Sequence, residues 1–177
     1  MTENLKKFIR NISDFPEKGI VFRDITTLLA EPEGMILAIA SLKSLIADEA
    51  IEGIAGIEAR GFIFGSILAY ELNLLFIPIR KKGKLPFKTI SNSYNLEYGQ
   101  DEIEVHVDAV SKGQKILIVD DLIATGGSAL GAIELLETLS ANVVGCVFVV
   151  GLPELGGMKK IKEKGISVEV ACSYSGH

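Results

Sequence analysis

The chain has 177 residues, 18 Lys plus Arg against 23 Asp plus Glu, two cysteines, no tryptophan and 48% hydrophobic residues. A single domain of this length removes roughly 70% of its unfolded surface from water, so neither a disulfide framework nor a structural metal is required. Collagen-like, disordered and disulfide-dense classes are excluded, and a formal net charge of -5 argues against a general nucleic-acid binder.

Met1 to Asn11 carries Lys6, Lys7 and Arg10 with no apolar run after them, so no signal peptide is expected. Met1 to Glu33 reads as a flap over whatever sheet follows. Gly34 to Ala50 spaces Ile36, Ile39, Leu42, Leu45 and Ile46 at a helical period, after the start signal Pro32. Ile54 to Ile57, Gly61 to Leu72 and Leu74 to Ile79 then predict strand, helix and strand, a βαβ unit.

From Lys81 to Gln100 glycine, proline, serine and asparagine interrupt the pattern, and the stretch reads as a long loop, either a functional lid or a disordered segment. Arg80, Lys81, Lys82, Lys84 and Lys88 form a basic cluster at its start. Taken alone, that cluster fits a solvated charged loop as well as an anion site. Glu102 to Val107 alternates, predicting a half-buried strand with Ile103, Val105 and Val107 inward and Glu102, Glu104 and His106 outward.

Lys115 to Val119, Val143 to Val150 and Ile166 to Val170 are predicted strands, separated by helices at Ser128 to Leu139 and Leu155 to Lys164. This alternation implies an α/β fold of one domain, a mostly parallel central sheet flanked by helices, with ligands at the carboxyl ends of the strands. The longest uncharged stretch, Thr138 to Pro153, falls short of the roughly 20 residues that span a bilayer. No membrane partner is expected. Cys146 lies inside an apolar run and reads as a small buried hydrophobe, which points to a reducing, cytoplasmic setting.

The chemistry concentrates in Ile116 to Ser128, where a buried strand reaches Asp120 and Asp121 and passes through Ala124, Thr125, Gly126 and Gly127 into a helix. The glycines permit φ > 0 and close backbone approach, the helix start attracts an anion, and the Thr125 and Ser128 hydroxyls add donors. A phosphate cradle and an ordinary capped turn both fit. The paired acids would repel phosphate unless they face sugar hydroxyls or a hard cation such as Mg²⁺. The lysine of a Walker A loop is missing, and no GxGxxG occurs.

Val119-Asp-Asp-Leu-Ile-Ala-Thr-Gly-Gly-Ser128 resembles the phosphoribosyl pyrophosphate (PRPP) motif of type I phosphoribosyltransferases. Asp14-Phe-Pro with Gly19 to Ile25, Ala59 to Gly65, Ile79 to Pro86 and Tyr94 to Gly99 extend the resemblance, which is nearest to the adenine phosphoribosyltransferases. The resemblance implies a type I fold with an N-terminal hood over residues 1–33 and an active-site lid loop over residues 81–100. It implies transfer of phosphoribose from PRPP to adenine, giving AMP and pyrophosphate, with Mg²⁺ held mainly through PRPP and no protein ligand assigned.

By the same resemblance the 5′-phosphate sits on Ala124, Thr125, Gly126, Gly127 and Ser128, with Asp120 and Asp121 near the ribose. Pyrophosphate meets Glu58, Ala59, Arg60, Arg80, Lys81 and Lys84, and the Glu58-Ala59 peptide is often cis in the family. Adenine meets the backbone of Val21 and Arg23 beside Phe22, whose ring could equally be core. Glu97 handles the purine proton, a surface carboxylate being the alternative, and Tyr98 on the lid covers PRPP. A homodimer is implied. Another purine base as acceptor, or a non-catalytic PRPP-sensing regulator, are the competing functions.

Overall fold

The computed structural model describes residues 2–46, 50–96 and 99–175. Its frame is a seven-stranded sheet in the order β5-β6-β4-β3-β7-β8-β9. Five strands are parallel: β3 (Gly53–Ile57), β4 (Leu75–Lys81), β7 (Lys115–Ile123), β8 (Asn142–Gly151) and β9 (Ser167–Ser173). The hairpin β5 (Thr89–Leu96) and β6 (Gly99–His106) joins antiparallel at the edge beyond β4. The mostly parallel α/β architecture follows from the strand and helix alternation of the sequence.

Alternation along β7 divides the core. Ile116 and Ile118 face one side with α5 (Gly127–Thr138) and α6 (Gly157–Glu163), while Leu117 and Val119 face the other with α1 (Thr2–Lys6), α2 (Thr26–Ala30), α3 (Pro32–Leu45) and α4 (Arg60–Leu72). A sheet covered on both faces gives its central strands continuous apolar runs. Cys146 is buried within the first cluster.

Several expectations change. Residues 89–96 are not loop: Thr89–Leu96 pairs with β6 from Thr89 against His106 to Leu96 against Gly99, because its partner supplies the ladder that polar residues do not specify alone. Glu104, expected outward, is buried, and Val107, expected inward, lies past the end of β6 and is exposed. β7 continues to Ile123, where it still pairs with Gly151, so Asp120 and Asp121 lie within the strand and not at its end. The predicted helix from Leu155 is split by Gly156, at φ +79, into a 3-10 turn (Pro153–Leu155) and α6.

Among the described residues, 2–33 do not form a separate flap. Leu5, Ile9, Ile25 and Leu28 are buried in the same cluster as Ala171 and Cys172, so α1 and α2 belong to the main core. Only the two-stranded ribbon of β1 (Arg10–Ser13) and β2 (Val21–Asp24) stands apart from the central sheet. Its connecting loop contains a cis Phe15-Pro16 peptide and is tied by Asp14, whose carboxylate accepts the Gly19 amide at 2.7 Å. Among the described residues no helix is long and apolar enough to cross a membrane.

Candidate active site

A cavity of about 420 Å³ opens at the carboxyl ends of β3 and β7. Residues 57–60 form one wall, residues 120–129 form the other, and Phe148 lies behind. The cradle residues Ala124 to Ser128 and the loop residues Glu58, Ala59 and Arg60 therefore meet in one space.

Small residues make that meeting possible. A Cβ on Gly61 would lie 2.7 Å from the Val119 carbonyl and 2.8 Å from Asp120 Oδ1, so only glycine lets the start of α4 seat on β7. The seating brings Arg60 Nε within 2.7 Å of Asp121 Oδ2. The Asp121 carboxyl is buried, whereas the Arg60 side chain remains 46% exposed and lines the cavity. The Glu58-Ala59 peptide is cis.

The two aspartates are held differently. Burial and the neighbouring Asp121 charge raise the Asp120 pKa well above the ordinary carboxylate value. Burial also raises that of Asp121, with Arg60 opposing it. Asp120 Oδ1 accepts the Asp121 amide at 2.8 Å. Asp121 is tied to Arg60, and Asp120 stands half-buried at the cavity wall.

The remaining basic residues are turned elsewhere. Arg80 donates from Nε and Nη2 to Glu58 at 3.2 and 3.4 Å, and from Nη1 to the Lys84 carbonyl at 3.0 Å. Burial would push the Glu58 pKa upward, but the Lys81 amide and Arg80 outweigh it and hold the carboxylate below its usual value. Lys81 Nζ pairs with Asp101 at 3.0 Å, and Lys84 is exposed. Arg80 and Lys81, at the end of β4, and Lys84, in the turn after it, do not line the cavity. Glu58 holds Arg80; its carboxylate is not free to face an anion.

At the cradle, Gly126 adopts φ +83, as the close turn requires, whereas Gly127 begins α5 without a positive φ. Asn92 Nδ2 donates to the Gly131 carbonyl at 3.4 Å and to Glu134 at 2.7 Å, which joins β5 to α5, the helix that begins at the cradle. Val21, Phe22 and Arg23 lie on the ribbon strand β2, all half-buried. Phe22 is not a core residue: its ring meets Phe15 edge-on at 5.3 Å and lies 6.0 Å from the Arg60 guanidinium. Arg23 stacks over Tyr174 at 4.2 Å. Glu97 and Tyr98 lie outside the described residues.

Three contributors escaped the sequence reading. Gly157 and Lys160 touch the cradle from α6, a region from which no site was expected. Glu104 accepts the Lys84 and Leu85 amides at 2.9 Å each, fixing the basic loop. The Gly156-Gly157 pair was the available signal for the first two, since adjacent glycines at a helix start permit close backbone approach. No group of three His, Cys, Asp or Glu side chains is placed to hold a metal among the described residues.

Residues 24–173 match the family model described as the phosphoribosyl transferase domain. The chain is 51% identical over 173 residues to an adenine phosphoribosyltransferase of Methylobacterium radiotolerans, covering 98% of this chain and 96% of that one. The chain belongs to the phosphoribosyltransferase family. Within that family it groups with the adenine phosphoribosyltransferases. The crystal structure of the Thermoanaerobacter pseudethanolicus adenine phosphoribosyltransferase is 42% identical and superposes with a TM-score of 0.93, covering 98% of this chain and 100% of that one. The Saccharomyces cerevisiae structure, complexed with an imino-altritol bisphosphate and adenine, is 37% identical with a TM-score of 0.88 over 96% of this chain and 97% of that one.

Proposed function

We propose that this phosphoribosyltransferase moves the 5-phosphoribosyl group from PRPP to adenine, giving AMP and pyrophosphate in purine salvage. The observation that carries the proposal is the shared cavity, where the 124–128 turn and the Glu58-Ala59-Arg60 loop face each other across the ends of β7 and β3. The names of the full-length relatives support adenine as the acceptor.

In this reading the 5′-phosphate rests on the amides and hydroxyls of residues 124–128, with Asp120 and Asp121 beside the ribose. Arg60 presents the uncommitted edge of its guanidinium to pyrophosphate, and the base sits between the β2 backbone and the Phe22 ring. The C1–O bond to pyrophosphate breaks as the bond from C1 to the purine nitrogen forms, and Glu97 receives the proton of that nitrogen. Alignment of base and sugar, together with fixed donors at the developing charge, supplies the rate. Tyr98 covers the reacting groups and excludes water.

Asp120, half-buried at the cavity, supplies the oxygen chemistry that Mg²⁺ takes, and the ion would come in on substrate phosphates with water completing its shell. Bound in that way, Mg²⁺ would supply charge neutralisation at the pyrophosphate. A cytoplasmic homodimer, with Arg80, Lys81 and Lys84 also serving pyrophosphate, completes the reading.

The test is AMP formation from adenine, PRPP and Mg²⁺, with hypoxanthine, guanine and xanthine as competitors. Adenine should be preferred, and Glu97→Ala should lower kcat by about 10²-fold or more with a smaller change in adenine KM. Preference for another base, or an undiminished Glu97→Ala enzyme, counts against it. Binding of PRPP without any product would favour a sensor.

A further inference from the structure

We propose that Gly157 and Lys160 of α6 are positioning residues for the phosphate cradle, an inference that rests on the reading of residues 124–128 as the seat of the phosphate monoester. The nearest atoms to a Cβ placed on Gly126 belong to Gly157, its Cα at 2.9 Å and its carbonyl oxygen at 3.2 Å. The converse contact is tighter. A Cβ on Gly157 would stand 2.4 Å from the Ala124 carbonyl oxygen, 2.5 Å from Gly126 N and 2.8 Å from the Thr125 carbonyl carbon. These are backbone atoms of the cradle, which cannot swing aside as a flexible side chain can.

Two hydrogen bonds accompany the contact. The Gly157 amide donates to the Ala124 carbonyl at 3.0 Å, and Lys160 Nζ donates to the Thr125 carbonyl at 3.2 Å. In a trans peptide the carbonyl and the following N–H point in opposite directions. Holding the carbonyls of 124 and 125 on α6 therefore turns the Thr125 and Gly126 N–H groups away from that helix, towards the cavity these residues line. Hydrogen bonding at a carbonyl also polarises its peptide, strengthening the donor on the far side. α6 thus aims and sharpens two donors that it does not itself present to ligand.

The experiment compares the full chain with Gly157→Ala, Lys160→Met and Lys159→Met. Lys159 carries the same charge one residue away, but its side chain is 82% exposed and lies near Glu163 instead of the cradle. Calorimetry with ribose 5-phosphate as probe is read beside the KM values for PRPP and adenine. Gly157→Ala should weaken ribose 5-phosphate and raise the PRPP KM by about tenfold or more, and Lys160→Met should do so by about three- to tenfold, the ordinary net worth of one hydrogen bond, because this one is exposed to water. Adenine KM in every variant, and every constant in Lys159→Met, should stay within about twofold.

Both active variants binding ribose 5-phosphate like the parent would overturn the proposal. So would equal damage from Lys159→Met and Lys160→Met, which would reduce the effect to general charge. Where Gly157→Ala loses its circular-dichroism signature of folding, Lys160→Met decides, because it removes only a surface side chain. A parent that fails to bind ribose 5-phosphate refutes the cradle reading itself, a result visible before any variant is compared.

Discussion

Arg60 Nε lies 2.7 Å from Asp121 Oδ2, linking the first residue of α4 to a buried carboxyl on β7. The pair joins the two walls of the cavity. Removing one partner of a buried pair strands the other, but the exposed half of Arg60 lets water compensate in part. Arg60→Gln should therefore lower stability by about 1 to 2 kcal/mol, below the usual cost of breaking a fully buried pair. Adding Asp121→Asn should recover much of that loss in denaturant unfolding, without recovering the PRPP KM. A double variant no more stable than Arg60→Gln would show that the pair carries no coupling.

Glu104 is the second carboxylate on which local order depends. It accepts the Lys84 and Leu85 amides at 2.9 Å and the Thr89 hydroxyl at 3.3 Å. Burial would raise its pKa, but these donors outweigh it and keep the group charged. Glu104→Gln keeps the shape and removes the charge. Hydrogen exchange at the Lys84 and Leu85 amides should then accelerate by about tenfold, matching the loss of charge-assisted hydrogen bonds. Unchanged protection there would mean that the turn is held by other contacts.

The ribbon has a pH signature. The Thr26 amide first, and then Arg10, hold the Asp24 pKa at about 2. A carboxylate depressed in the folded state stabilises it above the unfolded value of about 3.9, and that contribution disappears as pH falls towards 2. Asp24→Asn should flatten this part of the stability curve between about pH 4 and pH 2. Thermal melts of both proteins across that range provide the measurement; parallel curves would remove Asp24 as the cause.

Much of this arrangement was legible beforehand, because apolar periodicity reports burial directly. β3, α4, β8 and α5 follow from runs such as Val143 to Val150, and the Asp120 to Ser128 motif located the cavity wall. What stayed hidden depends on partners distant in sequence. Ser91, Asn92, Ser93 and Asn95 carry little strand preference, and Thr89–Leu96 becomes a strand through its register with β6. Alternation assigned Glu104 to the solvent side, since a pattern of residue types does not foresee backbone amides folding over a carboxylate. Arg80 reads as an anion ligand by type, yet Glu58, 22 residues earlier in the chain, takes up two of its nitrogens.

The thiols offer a probe of packing. Burial pushes the Cys146 pKa up to about 12, and Cys172 is also buried, with its Sγ donating to the Val149 carbonyl. Thiolate is the reactive form, so both groups should resist Ellman's reagent at pH 8 in the native protein. Unfolding in guanidinium should release both equivalents. Rapid native reaction of either would reveal opening of the sheet around β8 and β9.

The packing of α1 against β9 imposes an order on synthesis. Leu5 shares its cluster with Ala171 and Cys172, so the surface on which α1 rests is completed only when β9 is in place. The segments from β3 to β8 can pair while translation continues, leaving the amino-terminal arm to dock afterwards.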